Sequence, residues 1–176
     1  GGTFTVWEYG DVQFFAGTAF EDLGVGESRQ TSITYSVKDS ANTVYAGTVT
    51  FTVNGVNDNP TAANIVQTTA ENTSFSFNAL TSASDPDGDT LSLHSAFTDT
   101  TVAVPAGGTL TVKGWNGGTF TLHSNGIIDF NPGRDFDRLN PGEQATTTIG
   151  YQISDGNGGL DYKTINVTVN GADETY

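Results

Sequence analysis

The sequence predicts an all-β protein built as a β-sandwich, and three observations lead to this fold class. The chain has 22 glycines and 11 phenylalanines among 176 residues and no methionine, which favours strands joined by tight turns over packed helices. Short segments of period two lie between turn residues, and no segment shows a sustained apolar stripe of helical spacing. One stretch of the chain also occurs twice, which indicates a modular domain.

Eight alternating segments follow one another in the last two thirds of the chain. In each, threonine or another polar residue alternates with an aliphatic or aromatic one, as a sheet with one solvent-exposed face requires. The segments are 75–77, 90–93, 100–104, 109–112, 118–122, 127–130, 147–153 and 162–169. Asn125-Gly126 predicts a hairpin with a type I′ turn between two of them. Seven or eight strands with frequent turns are typical of a β-sandwich. The residues expected in its core include Phe75, Phe77, Phe120 and Tyr151.

The repeat sets the domain organisation. Gly1–Asp58 aligns without a gap on the stretch that begins 116 residues later, and 21 of the 58 positions are identical. Both copies open with Gly-Gly-Thr-Phe-Thr and close with Thr-Val-Asn-Gly. The boundaries that follow are half of a first repeat at 1–56, a linker at 57–60, a complete repeat at 61–170 and the start of a next linker at 171–176.

The front half repeat lacks the strands that would cover its apolar face. The apolar residues that need a partner surface are Phe4, Val6, Phe14, Ile33, Val37 and Phe51. Two explanations stay open. The chain is a slice of a longer array, which we favour, or a neighbouring molecule supplies the missing strands.

Charge and composition exclude several functions. With 20 acidic and 6 basic side chains the formal charge is −14, which argues against nucleic acids and anionic membranes as partners and favours cations. The chain has no cysteine and two histidines, which excludes disulfides, thiolate metal sites and most catalytic triads. No apolar run is long enough to span a membrane. We therefore do not expect an enzyme.

The carboxylates cluster at the ends of strands. Asp85-Pro-Asp87-Gly-Asp89 places three of them at alternate positions around a turn, a spacing that lets several oxygens converge on a hard cation such as Ca²⁺. A solvated acidic turn explains the same residues, because Asp, Pro and Gly are the usual turn formers. Other acidic groups stand at Glu21-Asp22, Asn57-Asp58-Asn59, Glu71-Asn72, Asp137-Arg138, Asp155-Gly-Asn157 and Asp173-Glu174. Each of these alone is equally consistent with a linker or a flexible turn.

Taken in order, these groups resemble the calcium-binding pattern of cadherin repeats. Ala-Glu71-Asn, Asp85-Pro-Asp87, Phe-Asp137-Arg, Ser-Asp155-Gly-Asn-Gly and Val-Asn57-Asp-Asn-Pro stand where cadherins carry PEN, DxD, LDRE, AxDxG and DxNDNxP. The phrases Asp-Pro-Asp-Gly-Asp and Ser-Asp-Gly-Asn-Gly-Gly are most similar to bacterial cadherin-like or VCBS-type repeats of large secreted adhesins. The chain departs from the pattern at Leu139, where LDRE ends in Glu, and at Asp22, which aligns with Arg138.

The resemblance implies a Greek-key sandwich of the cadherin and immunoglobulin type that binds Ca²⁺ between successive repeats. It assigns one set of ligands to the 57–60 junction and a second, incomplete set to the far end of the complete repeat. The first set is Glu21, Asp22, Asn57, Asp58, Asn59, Asp85, Asp87 and Asp155. The second set is Glu71, Asp137, Asp173 and also Glu174.

The function expected from this resemblance is that of a calcium-stiffened spacer or adhesion module in a secreted or cell-surface protein. Its partners would be neighbouring repeats, with homophilic or glycan contacts as further options. A rival class is a carbohydrate-binding module that uses exposed aromatic residues such as Trp115, Trp7, Tyr9 and Tyr45. For Trp115 we expect packing on the sandwich edge instead. A hydrolase built on Asp85 and Asp89 is the weakest alternative, because nothing supplies a cleft.

Overall fold

The computed structural model describes residues 1–173, and these are all strands, turns and loops without a helix. They fall into two compact units. The first comprises Gly1–Asp58 together with Pro86–Gly88, and the second comprises Asn59–Asp85 and the chain from Asp89 onward. The first unit holds strands β1 (Thr3–Val6), β2 (Val12–Phe15), β3 (Ser28–Lys38) and β4 (Val44–Asn54).

The second unit is a sandwich of two sheets. Its strands are β5 (Ile65–Ala70), β6 (Phe75–Asn78), β7 (Ser92–Phe97), β8 (Thr101–Ala103), β9 (Thr109–Lys113), β10 (Thr119–His123), β11 (Ile127–Asn131), β12 (Gln144–Ser154) and β13 (Leu160–Asn170). One sheet is antiparallel with the order β6-β11-β10-β9. The other has the order β5-β13-β12-β7-β8, in which β5 runs parallel to β13. The predicted all-β sandwich is confirmed.

The core lies where the inward faces of the two sheets meet. Alternate residues of β10 and β11 point inward, and Phe120 and Phe130 pack with ring centroids 4.7 Å apart. Tyr151 of β12 is fully buried, and its hydroxyl donates to the carbonyl of Ala63. Each such large side chain contributes about 1.5–3 kcal/mol when it leaves water. Of the core predicted from sequence, Phe120 and Tyr151 are fully buried, while Phe75 and Phe77 are half-buried at its margin.

Three details differ from the sequence predictions. Strand β5 is not among the predicted segments, because its buried position carries Thr69 while Val66 faces solvent, which inverts the expected pattern. Strand β7 covers Ser92–Phe97, whereas the alternation predicted 90–93. The predicted type I′ turn is wrong. Asn125 lacks the positive φ that this turn needs at both central residues, and Gly126 alone has one, at 99°.

The hairpin itself forms through a three-residue loop. The amide of Gly126 donates to the carbonyl of His123, and the Asn125 side chain accepts from the amide of Ile127. A tight turn followed by a left-handed glycine is the usual geometry of three-residue hairpins. The Asn-Gly signal therefore located the hairpin correctly but not the turn type.

The first unit consists of two hairpins, β1-β2 and β3-β4. Its phenylalanines gather in a cluster, with ring centroids 4.9 Å apart for Phe4 and Phe14 and 5.2 Å apart for Phe14 and Phe51. Val6 and Val37 are nevertheless 46% and 52% exposed. The residues that align with them in the second unit, Leu122 and Ile153, are completely buried. The apolar face predicted to need a partner is thus largely open in this unit, and the predicted repeat boundaries stay a prediction.

Candidate metal centre

The turn Asp85–Asp89 brings three carboxylates together. Asp85, Asp87 and Asp89 are all half-buried, and one oxygen of each lies within 4.8 Å of the others. The turn forms because Pro86 fixes its own φ and Gly88 adopts a φ of 77°, which side chains with a Cβ rarely reach. The amide of Asp89 donates to Asp85 Oδ1 at 3.2 Å. Asp89 was not in the ligand set implied by the resemblance, although its alternate spacing pointed to it.

Within the first unit, Asp87 contacts the end of the chain segment that the sequence predicts as a linker. The amide of Asp58 donates to Asp87 Oδ2 at 2.8 Å, and Asn57 Nδ2 donates to the carbonyl of Asp58 at 3.0 Å. Asn57 Oδ1 and Asp87 Oδ1 are both buried atoms. This unit therefore holds Asn57, Asp58 and Asp87 side by side, with oxygen atoms withdrawn from solvent.

Within the second unit, Asp155 is the most enclosed aspartate of the predicted set. It is 4% exposed, and its Oδ1 accepts from the amides of Asn157 at 2.7 Å and Gly159 at 3.0 Å. Asn157 Nδ2 in turn donates to Asp89 Oδ2 at 2.7 Å. The loop after β12 and the acidic turn are thus joined through an amide side chain. Asn59, which also belongs to this unit, is exposed.

The aspartate in the first copy of this loop has the same hydrogen bonds. Asp39 Oδ1 accepts from the amides of Ala41 at 2.8 Å and Thr43 at 2.9 Å, which are the same relative positions. Both aspartates therefore close their hairpin loops in the same way. They differ in that Asp39 is exposed while Asp155 is buried.

Glu71 lies completely buried at the end of β5. Its amide donates to the carbonyl of Asn170 at 2.9 Å, and its Oε1 accepts from the amide of Ala172 at 2.7 Å. Oε2 is buried and has no hydrogen-bond partner among residues 1–173. The two other predicted ligands of this end, Asp137 and Asp173, are exposed, and Glu174 lies outside the described residues.

Glu21 and Asp22 are exposed residues of the first unit. Asp22 forms a bidentate ion pair with Arg29, with nitrogen to oxygen distances of 3.1 and 2.7 Å. The hydrogen bond from Arg29 lowers the pKa of Asp22 below its usual value. Asp22 would have to leave this guanidinium to bind a cation. Of the two, Glu21 is the better ligand candidate.

Comparison with known proteins identifies the family. A family model described as the bacterial cadherin-like domain matches residues 57–171. The chain belongs to this family. The cadherin resemblance seen in the acidic groups is therefore confirmed. The bacterial cadherin-like match takes in the acidic turn, the Asp155 loop and Glu71, but leaves out Glu21 and Asp22.

The solved structures that are similar to this chain include two sets of cadherin repeats. Mouse cadherin-23 repeats EC22–24 share 14% identity with a TM-score of 0.49, over 98% of this chain and 50% of that one. Protocadherin gamma C5 repeats EC1–3 share 16% identity with a TM-score of 0.44, over 94% and 51%. A nucleoside hydrolase-related protein of Saccharophagus degradans associated with carbohydrate metabolism shares 15% identity with a TM-score of 0.36, over 66% and 26%.

The chain thus spans a quarter to a half of the length of these structures. No curated protein matches the sequence. Among the described residues, no helix is long and apolar enough to cross a membrane.

Proposed function

We propose that this bacterial cadherin-like chain is a calcium-binding module whose stiffness depends on Ca²⁺, and that it serves as an extender or adhesion element rather than as an enzyme. The observation that carries the proposal is the acidic turn, where three carboxylate oxygens lie within 4.8 Å of one another. Two carboxylates about 4 Å apart repel each other by about 1 kcal/mol in water and by about 4 kcal/mol near a protein surface. A divalent cation converts this repulsion into attraction.

The donor set fits Ca²⁺. It consists of carboxylate and amide oxygens, the ligands that hard cations prefer, and Ca²⁺ takes six to eight of them in flexible geometry. The residues proposed to hold the ion are Asp85, Asp87 and Asp89. The cadherin resemblance adds Asn57, Asp58, Asn59, Asp155 and Glu21 to this set.

A second site is proposed at the other end of the sandwich. Glu71 Oε2 is a buried carboxylate oxygen without a hydrogen-bond partner among residues 1–173, which is costly unless a cation binds there. Glu71 would hold that ion together with Asp137 and Asp173. Asp137 and Asp173 are exposed, so this site is expected to bind more weakly than the acidic turn.

In this proposal the charged side chains of the chain determine how stiff the segment at 57–60 is. Without metal, the carboxylates of the acidic turn repel one another and the segment at 57–60 is free to bend. Bound Ca²⁺, which supplies positive charge to many ligands at once, holds the segment in one conformation. Extracellular modules of this kind bind Ca²⁺ with dissociation constants of about 10⁻⁴–10⁻³ M. The module would therefore be rigid outside cells and flexible in the calcium-poor cytosol. We therefore propose a secreted or cell-surface protein of the VCBS adhesin type, with neighbouring repeats or a second copy as partners.

The repeat supplies a matched pair of variants to test the calcium site. Asp155→Asn and Asp39→Asn are the same chemical change in aligned loops, and the amide Oδ1 can keep the backbone hydrogen bonds that both aspartates make. Isothermal titration calorimetry with Ca²⁺ is expected to show an affinity loss of about tenfold or more for Asp155→Asn. Asp39→Asn is expected to bind like the unaltered chain.

The control decides between a ligand and a loop effect. Loop propensity and formal charge change equally in the two variants, although Asp155 is buried and Asp39 is exposed. Equal losses, or a larger loss for Asp39→Asn, would contradict the proposed site while leaving the sandwich fold intact.

A further inference from the structure

We propose that the solvent-facing side of the β5-β13-β12-β7-β8 sheet binds a neutral polysaccharide through Phe97, Trp115 and Tyr162, which we call the aromatic face. These residues line two adjoining cavities. One of about 70 Å³ contains all three aromatic side chains, and another of about 350 Å³ adds Thr101 and Gln152. Phe97 and Tyr162 line both cavities, and we call the two adjoining cavities the groove.

The aromatic side chains present ring surface to solvent. Trp115 is 65% exposed and Tyr162 is 45% exposed, which overturns the expectation that Trp115 packs on the sandwich edge. The rings of Phe97 and Tyr162 stack with centroids 4.1 Å apart and planes inclined by 21°. Gly150 makes room for this stack, since a Cβ at that position would lie 2.1 Å from the ring of Phe97. The exposed tryptophan lies in the loop between β9 and β10, and its amide donates to the carbonyl of Thr148.

The fold does not require this arrangement. Gly150 and Tyr162 align with Thr34 and Ala46 in the first copy of the repeat, where β3 and β4 pair in the same register as β12 and β13. The β3-β4 hairpin therefore forms with a threonine and an alanine at these positions. Strand pairing at these positions thus does not need the stack of Tyr162 on Phe97, which favours a binding role for the exposed rings.

The polar groups of the groove match sugar hydroxyls. Thr148 and Thr164 donate their hydroxyl hydrogens to Asn166 and Asn64, so their oxygen lone pairs are available as acceptors. Gln152 Oε1 accepts from Ser95, which leaves the amide nitrogen as the donor toward the groove. Aromatic faces that expose flat apolar surface beside a few fixed polar groups are typical of small-ligand sites. The C–H faces of pyranose rings stack on such surfaces while their hydroxyls reach the flanking polar atoms.

The absence of charged side chains in the groove favours a neutral ligand. The side chains that line the two cavities carry no carboxylate, amine or guanidinium, although the chain as a whole has 20 acidic residues. An anionic polysaccharide would be repelled by a chain of formal charge −14. A cationic ligand would find no counter-charge in the groove. A neutral, extended glycan is the chemistry that remains.

Retention on polysaccharides tests the proposal with the whole chain in chelator, so that calcium does not contribute. Native affinity electrophoresis with soluble β-1,4-linked glucan, xylan and mannan is expected to retard the unaltered chain on at least one of them. Alginate serves as the anionic comparison and is expected to cause no retardation. Tyr162→Ala and Trp115→Ala are each expected to weaken binding by about tenfold or more, because each removes a stacking surface.

Two controls keep the result interpretable. Tyr162→Ala introduces the residue that the first copy already carries, so its circular dichroism is expected to match the unaltered chain. Its melting temperature is expected to fall only slightly, through the lost stack on Phe97. Tyr9→Ala removes a tyrosine that is more exposed than Tyr162 but lies in the first unit, and it is expected to bind normally. Absence of retardation on all three neutral polysaccharides overturns the proposal. So does equal binding by Tyr162→Ala and the unaltered chain, or self-association that Tyr162→Ala abolishes in the absence of glycan binding.

Discussion

At the scale of single residues, Glu71 is a fully buried carboxylate with one oxygen that lacks a hydrogen-bond partner among residues 1–173. Glu71→Gln keeps the acceptor for the amide of Ala172 and removes the negative charge. Because an uncompensated buried charge is costly, we expect the melting temperature in chelator not to fall. The increase in melting temperature with Ca²⁺ is expected to become smaller. Differential scanning calorimetry in chelator and in millimolar Ca²⁺ measures both.

Glu143→Gln is the control for this change. Glu143 is exposed, and hydrogen bonds from the amide and side chain of Asn140 lower its pKa. Removing its charge is expected to leave the calcium response unchanged. A large loss of stability of Glu71→Gln in chelator, with an unchanged calcium response, would mean that Glu71 has a purely structural role.

Individual residues also mark the limit of sequence-based prediction. The spacing of Asp85, Asp87 and Asp89 allowed their oxygens to converge, and in the structure one oxygen of each lies within 4.8 Å of the others. The exposure of Trp115 was not predictable, because it depends on the loop that places the indole beyond the sheet. The ion pair between Asp22 and Arg29 was not predictable either, because it joins a loop residue to a strand residue and depends on how the two side chains are oriented.

At the scale of strands, a hydrogen-bonded set ties three neighbours of the four-stranded sheet together on its outer face. Ser76 on β6 donates to Asp129 Oδ1 on β11, and His123 on β10 lies 2.7 Å from Asp129 Oδ2. The bonds from Ser76 and then His123 lower the pKa of Asp129 below its ordinary 3.8. Since the pKa is depressed in the folded state, the carboxylate stabilises the sheet above that ordinary value. The contribution is lost as the pH falls through the lower folded-state pKa.

Asp129→Asn is therefore expected to lower the free energy of unfolding at neutral pH by about 0.2–1 kcal/mol, the range for exposed cross-strand pairs. The difference from the unaltered chain is expected to shrink as the pH falls below the ordinary pKa of aspartate. Urea unfolding at a series of pH values measures it. Asp99→Asn removes a charge from an exposed loop and is expected to have no such effect. A difference for Asp129→Asn that is constant with pH would refute the role of the carboxylate charge.

Strands with clear alternation were predicted well, and the others show what alternation leaves out. Threonine alternates with leucine, valine or phenylalanine in β9 and β10, and each lies within a residue or two of the predicted bounds. Strand β5 buries Thr69, whose hydroxyl donates to the carbonyl of Thr73. A polar residue that is satisfied locally can occupy an inward position, and hydrophobic period alone misses such a strand.

At the scale of the whole molecule, one repeated sequence yields two different environments. Tyr151 is completely buried in the second unit, while its counterpart Tyr35 is 36% exposed in the first. The sequence identity between the copies predicts the same strands and pairing, which the structure has in both. Burial depends on the additional strands β5 to β9, for which the first unit has no equivalent. Pairing is thus encoded within each copy, and the closed core is not.

Calcium is expected to stabilise the whole chain in a way that general screening of its charge does not. At a Ca²⁺ concentration ten times the dissociation constant, binding to the folded state adds about 1.4 kcal/mol for one site. For a chain of 176 residues that corresponds to a melting temperature about 3–6 °C higher. Mg²⁺ is expected to raise the melting temperature much less, because it requires near-octahedral geometry and loses water reluctantly.

A chain of formal charge −14 gains some stability from any salt, so NaCl at matched ionic strength is the necessary control. Scanning calorimetry in chelator, Ca²⁺, Mg²⁺ and matched NaCl separates the cases. Equal melting temperatures in Ca²⁺ and matched NaCl would reject the calcium proposal, and equal effects of Ca²⁺ and Mg²⁺ would reject the flexible oxygen cage as its cause.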